Sequence, residues 1–273
     1  MAFRAPAAYS KAAGRPSAFQ ANATGSIKGG ASMSSSAGRI IAIGDVHGCS
    51  HALDAVIEAI KPTAADELVF LGDMVDNGRE SKEVLERILK LQQKCRVVLI
   101  EGNHEEMMLR ARNNKADFDY WMNCGGAATL SSYNFPGKMS DVPEAHWALI
   151  ESCLPFYETD EFIFTHANYV PELPMSEQPP YELRWSLFDS HEQRPHVSGK
   201  PITVGHTEQR DGEVVDLGFA TCIDTACWRY GWLTALDRTS GEIWQASKWG
   251  VLREPGEETH REKLGELIGG KVE

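Results

Sequence analysis

The chain has 273 residues, of which 42% are hydrophobic and 24% charged, a composition typical of a globular protein. Its formal net charge of −12 is a poor match for a nucleic-acid backbone, and no apolar run approaches the roughly 18 residues of a membrane-spanning helix. We therefore expect neither nucleic acid nor a membrane as a partner. Six cysteines lack a CxxC pair or regular spacing, which predicts free thiols in a reducing compartment.

The two ends of the chain differ in composition from its body. Residues 1–38 contain eleven Ala, seven Ser and four basic residues, and they contain no Asp or Glu. This predicts a disordered extension or an organelle transit segment, so the location would be the cytoplasm, or a chloroplast or mitochondrion. Residues 253–273 are interpreted as a charged C-terminal tail. The folded domain is expected over 39–252.

The first half of that domain alternates short apolar runs with amphipathic segments. Strands are predicted at 39–43, 67–71 and 96–100. Between them, 50–60 repeats Leu53, Val56, Ile57 and Ile60 at helical spacing, and 81–92 is a second amphipathic helix with Ser81 as its N-cap. Residues 110–158 are expected to be mostly helical. Strands alternating with helices indicate an α/β fold.

The second half contains strands without intervening helices. Strands are predicted at 161–165, 202–205, 221–224 and 232–236, and a further strand at 240–246 pairs back through Ser240-Gly241. This part of the sheet is therefore expected to be antiparallel or mixed.

Polar side chains occur where five of the predicted strands end. In open α/β sheets, the carboxyl ends of the strands form the edge that binds ligands. Carboxylates, neutral imidazoles and an amide oxygen suit divalent ions of intermediate hardness, and seven such groups suit two ions. The groups at these strand ends are Asp45, His47, Asp73, Asn103, His104, His166 and His206.

The motifs GDVHG, GDMVDNG and GNHE, followed by a strand-terminal His and GHT, resemble those of the metal-dependent phosphoprotein phosphatases. The resemblance covers roughly 39–248, and it is nearer to the small bacterial-type serine/threonine phosphatases related to the bacteriophage lambda enzyme. It implies a calcineurin-like α/β fold: a layered α-β-β-α sandwich of mixed sheets, with the metal site at the C-terminal ends of the strands.

The resemblance also implies roles for individual residues. Asp45 and His47 would bind one metal, Asp73 would bridge, and Asn103, His166 and His206 would bind the other. A metal-bridging hydroxide would attack phosphorus while His104, backed by Asp76, protonates the leaving group. The ligand set accommodates Mn, with Fe or Zn as alternatives.

The second motif departs from the family pattern GDxVDRG at one position. Asn77 stands where the family has an arginine that grips the phosphoryl oxygens, and as a predicted phosphate-binding residue it offers one uncharged amide donor. Replacement phosphate-binding groups are Arg79 and Arg184, of which Arg184 in ELRW is better placed by motif.

The resemblance implies a phosphatase for phosphate monoesters, mainly phosphoserine and phosphothreonine in proteins, or a small phosphoester substrate. One alternative is a hydrolase of diadenosine tetraphosphate and similar dinucleoside polyphosphates, whose family also departs from DRG. Another is a weakly active phosphopeptide-binding protein. Three aromatic residues, Trp228, Tyr230 and Trp232, are interpreted as sheet packing, with a substrate groove as the alternative.

Overall fold

The computed structural model of the protein describes residues 38–254. The predicted extension 1–38 and the predicted tail 253–273 therefore lie almost wholly outside the described residues. Within 38–254, no helix combines the length and the apolar character needed to cross a membrane. All six cysteines lie in this part of the chain, and all six are free thiols, as predicted.

The described residues form eleven strands, which belong to two sheets. In chain order the strands are β1 Ile40–Ile43, β2 Glu67–Phe70, β3 Arg96–Leu99, β4 Tyr157–Glu158, β5 Ile163–Phe164, β6 Ile202–Val204, β7 Val215–Asp216, β8 Ala220–Cys222, β9 Asp224–Thr225, β10 Trp232–Asp237 and β11 Ile243–Ser247. Each strand predicted from the sequence is present, although several are shorter than predicted.

The first sheet has the order β11-β10-β1-β2-β3, and β9 also pairs with β10. Strands β1, β2 and β3 are parallel, in a register that aligns Ile41 with Leu68 and Leu68 with Val97. Strand β10 is antiparallel to β1, and β11 is antiparallel to β10. The parallel strands bring three consecutive loops to one edge of this sheet.

The second sheet has the order β4-β5-β6-β8-β7. Its three central strands are parallel, and the two outer ones are antiparallel to their neighbours. The expected mixed character of the second half of the chain is thus confirmed. The loops after β5 and β6 leave the same edge of this sheet.

The helices lie mainly in the first half of the chain. They are α1 Ser50–Ile60, α2 Ser81–Leu91, α3 Asn103–Ala111, α4 Lys115–Trp121, α5 Ala127–Tyr133, α6 Glu144–Glu151 and α7 Pro180–Arg184. The expectation that Ser81 caps α2 is wrong. The cap position is Glu80, and Ser81 is the first helical residue, whose Oγ accepts from the Asp76 N–H instead.

Three buried clusters show how the layers stack. One joins α1 and α2, through residues such as Leu53 and Leu85, to the face of the first sheet that includes Ile41. A second lies between the sheets and includes Val69 and Phe164. A third covers the outer face of the second sheet. This order of helices, two sheets and an outer layer confirms the layered α/β sandwich.

Candidate metal centre

The loops after β1, β2 and β3 carry the first group of predicted site residues. Because these strands are parallel, Asp45, His47, Asp73 and Asn103 emerge at the same edge, and all four are buried. His47 and Asp73 have φ values of 45° and 49°. Few non-glycine residues adopt this left-handed conformation, and it turns both side chains toward the edge.

The second sheet adds two histidines at the same place. His166 follows β5 and His206 follows β6, and the Gly205 N–H donates to the His166 carbonyl. The His206 N–H lies 3.1 and 3.2 Å from the two oxygens of Asp45. The edges of the two sheets therefore meet at one cluster.

Asp73 lies at the centre of this cluster. Its Oδ2 is 3.4 Å from His47 Nε2, and its Oδ1 is 3.4 Å from His166 Nε2. Asn103 Oδ1 lies 3.0 Å from His166 Nε2 and 3.1 Å from His206 Nδ1. The two oxygens of Asp73 thus face two different sets of ligand atoms, as a bridging carboxylate requires.

The other nitrogen of each ring contacts a backbone carbonyl. His47 Nδ1 is 3.0 Å from the Val75 oxygen, His166 Nδ1 is 2.8 Å from the Leu71 oxygen, and His206 Nε2 is 3.3 Å from the Trp185 oxygen. A carbonyl only accepts, so these nitrogens carry the protons and the opposite nitrogens direct lone pairs at the cluster.

The surroundings of the Asn103 amide indicate whether a cation fits the cluster. Its oxygen faces only acceptors, and if the amide is turned its nitrogen donates to Asp73, His166 and His206 instead. In the first orientation, four lone-pair donors converge on one point and need a cation between them. Two sets of ligand atoms, each within 4.8 Å of one another, share Asp73: His47-Asp73-His104 and Asp73-His166-His206. The donor chemistry fits two divalent ions.

The charges of the cluster also favour a bound cation. Burial raises the pKa of Asp45, and repulsion from Asp224 and Asp73 adds to the effect. Burial and the neighbouring Glu105 raise the pKa of Asp73. Burial lowers the pKa of His47 to about 3, so the ring is neutral at neutral pH. Buried carboxylates beside neutral imidazoles are stabilised by a bound cation.

His104 and Asp76 form the pair predicted from the sequence. His104 Nδ1 lies 2.8 Å from Asp76 Oδ2, and the Trp121 Nε1–H and the Thr129 hydroxyl also donate to this carboxylate. Burial lowers the pKa of His104 to about 4 and raises that of Asp76 to about 7. Since every partner of Asp76 is a donor, we assign it the anionic form, which holds the Nδ1 proton and leaves Nε2 facing Asp73 at 3.9 Å.

The three predicted phosphate-binding residues lie in different surroundings. Asn77 is beside the cluster, with its Nδ2 3.3 Å from His47 Nδ1. Arg79 is exposed. Arg184 is mostly buried, and its guanidinium donates to Glu101 at 2.9 Å and to Glu106 at 3.0 Å. Arg184 would have to exchange two ion pairs to contact a phosphate.

Two buried acids of the site were given no role in the sequence interpretation. Glu105 accepts from the N–H groups of Asp73, Met74 and Gly102 at 2.7, 2.8 and 3.0 Å, and so joins the loops after β2 and β3. Asp224 is the first residue of β9 and adds negative charge beside Asp45. The signal for Glu105 was its place in GNHE, and the signal for Asp224 was its place at the end of the strand predicted at 221–224.

Comparisons with known proteins agree with this geometry. The sequence matches the family model of the calcineurin-like phosphoesterases over residues 38–214. It is 27% identical over 132 residues to a symmetrical bis(5'-nucleosyl)-tetraphosphatase from Erwinia tasmaniensis, covering 48% of this chain and 44% of that protein. With the protein of the same name from Burkholderia pseudomallei, identity is 30% over 135 residues, covering 48% and 43%. The chain thus spans less than half the length of these curated relatives.

Similar solved structures include enzymes of two kinds. A crystal structure described as that of a candidate diadenosine tetraphosphatase superposes with a TM-score of 0.59 at 19% identity, covering 82% of this chain and 97% of that one. A protein serine/threonine phosphatase from Saccharomyces cerevisiae gives a TM-score of 0.57 at 15% identity, covering 83% and 84%. These identities establish the shared fold. The nearer resemblance to the bacteriophage lambda enzyme stays a prediction.

Proposed function

The chain belongs to the calcineurin-like phosphoesterase family, and from that premise we propose that it is a two-metal hydrolase whose substrates are dinucleoside polyphosphates. The observation that carries the proposal is the convergence of imidazole, amide and carboxylate lone pairs around Asp73. When bound, divalent ions at this site polarise the phosphoryl oxygens and lower the pKa of bound water.

The residues fall into two sets of ligands. Asp45, His47 and Asp73 would hold one ion, and Asp73 with Asn103, His166 and His206 would hold the other; His104, although close to His47 and Asp73, is kept for the proton transfer. The backbone carbonyls accept from one nitrogen of each of the three rings, so the lone pair of the opposite nitrogen is directed at the cluster. Glu105 accepts from the Asp73 N–H and so fixes the backbone there. Mn²⁺ suits these ligands, and Fe or Zn ions are the alternatives.

His104 supplies the proton for the leaving group. Asp76 accepts from the Nδ1–H, so the proton to be transferred is the second proton of the imidazolium, on Nε2, on the side of the ring that faces Asp73. Burial disfavours the imidazolium, and the anionic Asp76 beside the ring favours it. Asp76 is a positioning residue, because it fixes the tautomer and ring orientation without facing the substrate. Proton transfer from a positioned imidazole typically contributes about 10²–10⁴-fold to the rate.

Two observations favour a dinucleoside polyphosphate over a phosphoprotein. Asn77 offers an amide where the protein phosphatases have a guanidinium, so the grip on a terminal phosphoryl group is weaker. The curated relatives described above are named as bis(5'-nucleosyl)-tetraphosphatases. A phosphoserine or phosphothreonine substrate is the second candidate, favoured by the spacing of GDVHG, GDMVDNG and GNHE.

The test compares three substrates with Mn²⁺ and with chelator: diadenosine tetraphosphate, a phosphothreonine peptide and p-nitrophenyl phosphate. Water added at the central anhydride of diadenosine tetraphosphate gives two ADP molecules, which chromatography separates from ATP and AMP. We expect Mn²⁺-dependent formation of ADP, with a higher kcat/KM than for the peptide.

Other results would change the assignment. Faster phosphate release from the peptide would establish the second candidate. Tight binding of the peptide without turnover of any substrate would indicate a phosphopeptide-binding protein. If none of the three substrates is hydrolysed with metal bound, the assignment as a hydrolase is wrong.

A further inference from the structure

A cationic and aromatic surface adjoins the candidate metal centre on the side of His47. We call it the aromatic shelf and define it as Trp228, Arg229, Tyr230, Lys248 and Trp249. The Trp228 ring meets the His47 ring edge-on, with 6.4 Å between centroids. Trp232, the third aromatic residue of this segment, is buried in the sheet as predicted, whereas Trp228 is half-buried and Tyr230 is exposed. The packing interpretation is therefore wrong for Tyr230.

The inner part of the shelf presents a guanidinium. The Arg229 guanidinium lies over the Trp228 ring, 4.2 Å from its centroid, and donates to Glu208 at 2.7 Å. Trp228 Nε1–H also donates to Glu208, and Arg210 lies 3.5 Å from the same carboxylate. Two arginines thus surround one acid, so these three side chains together carry a charge of +1. In a chain of net charge −12, such local charge is what an anionic substrate requires.

The outer part of the shelf presents exposed rings. Tyr230 is 46% exposed and Trp249 is 58% exposed. The Lys248 ammonium lies 5.9 Å from the centroid of one ring and 5.0 Å from that of the other. It also donates to the carbonyls of Trp228 and Arg229, so it ties the end of β11 to the turn before β10. The rings are therefore held on two anchored segments.

We propose that the aromatic shelf binds one nucleoside of a dinucleoside polyphosphate, with its base stacked on Tyr230 and Trp249 and its phosphates contacted by Arg229. The inference rests on the proposed function and identifies the part of the site that selects the substrate. A nucleobase stacks on aromatic rings, and cations beside those rings attract the attached phosphates.

The test measures binding separately from turnover. Diadenosine tetraphosphate and inorganic tripolyphosphate are titrated into the full chain in chelator, and binding is followed by calorimetry. Tyr230→Ala and Trp249→Ala should each weaken binding of the dinucleotide by about tenfold, since stacking on one aromatic ring contributes on that scale. Neither variant should alter binding of tripolyphosphate, which has no base. Arg229→Gln should weaken the binding of both ligands.

The chain offers matched controls for two of the three variants, Tyr230→Ala and Arg229→Gln. Tyr181 is 45% exposed on α7, outside the shelf, so Tyr181→Ala controls for loss of an exposed tyrosine. Arg194 forms a 2.7 Å ion pair with Glu172, so Arg194→Gln controls for loss of a surface ion pair of the same length. Both controls should bind the two ligands as the wild type does.

Turnover of p-nitrophenyl phosphate separates failure of this inference from failure of the proposed function. If shelf variants bind the dinucleotide normally while the wild type hydrolyses p-nitrophenyl phosphate, the inference is wrong and the hydrolase stands. Weakened binding of a phosphothreonine peptide in place of the dinucleotide would also overturn the inference. A wild type without turnover of any phosphoester would remove the proposed function and the inference with it.

Discussion

Individual residues at the site depart from common backbone conformations. Seven non-glycine residues among 38–254 have positive φ, and five of them belong to the site: His47, Asp73, Asp76, Asn77 and His206. Each left-handed residue costs about 1–2 kcal/mol relative to a helical one. The strain is tolerated because hydrogen bonds fix these turns, as the Asp76 N–H does by donating to Thr129 at 2.8 Å. These backbone conformations place His47, Asp73 and His206 in the cluster and Asp76 behind His104.

Replacing His104 tests its role as the acid. His104→Asn should lower kcat for p-nitrophenyl phosphate by about 10²–10⁴-fold, because the leaving oxygen loses its proton donor. Bound Mn²⁺, measured by elemental analysis, should stay at the wild-type level, since His104 is proposed as an acid. His51→Asn, at an exposed histidine, is the control. Loss of metal in His104→Asn would instead make His104 a ligand.

Restoring the family arginine tests the departure at position 77. Asn77→Arg should raise kcat/KM for p-nitrophenyl phosphate by about 10–150-fold, since a charge-assisted contact contributes about 1.5–3 kcal/mol. It should also lower stability by about 1 kcal/mol, because Asn tolerates φ of 63° better than Arg does. Inhibition by inorganic phosphate should strengthen in parallel.

The uncharged variant Asn77→Gln should show no gain in activity. An unchanged kcat/KM in Asn77→Arg would mean that another cation already holds the phosphoryl group, and Arg229, Arg184 and Arg79 would be the next residues to replace.

At the scale of elements, close backbone contacts join the loops. Gly102 and Gly205 precede two ligands, and a methyl group at these positions would lie 2.2 Å from Asp73 Oδ1 and 2.1 Å from Asp45 Oδ1. Only glycine lets the β3 loop reach the β2 loop, and the β6 loop reach the β1 loop. Steric exclusion of any larger residue therefore explains why GNHE and GHT each begin with glycine.

Gly205→Ala should displace the Asp45 carboxylate. We expect affinity for Mn²⁺ to fall by about 10–100-fold, the range found when groups that orient ligands are disturbed. Titration with Mn²⁺ in a competing chelator measures the affinity. Gly199→Ala is the control, because a methyl group there meets nothing within 4 Å, so its φ of 73° costs stability without touching the site. Equal loss of affinity in both variants would contradict the steric explanation.

The start of β1 is tied to the loop before β2 by one carboxylate. Asp66 accepts from the Arg39 guanidinium at 2.8 Å and from the Thr63 N–H at 2.8 Å. Arg39 holds the pKa of Asp66 well below its usual range. The carboxylate therefore stabilises the fold above its ordinary pKa of about 3.9, and this contribution is lost as pH falls further toward the folded-state pKa.

Asp66→Asn should lower the free energy of unfolding by about 1–3 kcal/mol at pH 7. The difference from wild type should shrink as pH falls from 5 to 3, because the wild-type carboxylate becomes protonated on unfolding. Urea unfolding in chelator measures both values. Asp160→Asn, at an exposed aspartate, should show no such change. A difference that grows at low pH would contradict the assignment.

At the scale of the whole molecule, an acidic chain buries several carboxylates at one point. Asp45, Asp73, Glu105 and Asp224 are all buried where the two sheets meet. Their repulsion destabilises the metal-free fold, and binding of cations relieves it. Metal binding and stability should therefore be coupled.

At pH 7.5, Asp73→Asn separates the effect of carboxylate repulsion on stability from the effect of metal binding. In chelator the variant should unfold about 2–4 °C above wild type, since removing one buried negative charge gains about 1 kcal/mol. With Mn²⁺ at about 100 times its Kd, the wild type should gain about 2.7 kcal/mol and the variant little. Calorimetry measures both, and Asp119→Asn at an exposed ion pair is the control. A chelated variant less stable than wild type would contradict the repulsion argument.

The sequence by itself determined the α/β class and the polar residues at the strand ends, and the resemblance carried by its motifs implied the layered sandwich. Hydrophobic periodicity located the strands, and parallel strands deliver their ends to one edge, so Asp73 and Asn103 meet without knowledge of packing. His166 follows a strand of the second sheet, and it reaches Asp73 only because the edges of the two sheets meet. The pairing of Asp76 with His104 followed from the resemblance.

Only the tertiary structure decided what surrounds these residues. Thr129 donates a hydrogen bond to Asp76, which is 53 positions away in sequence, and Arg184 donates to Glu101, which is 83 positions away. The aromatic shelf brings together the turn before β10 and the end of β11. Such contacts depend on how helices and loops pack against the sheets, and neither periodicity nor motif spacing encodes that packing.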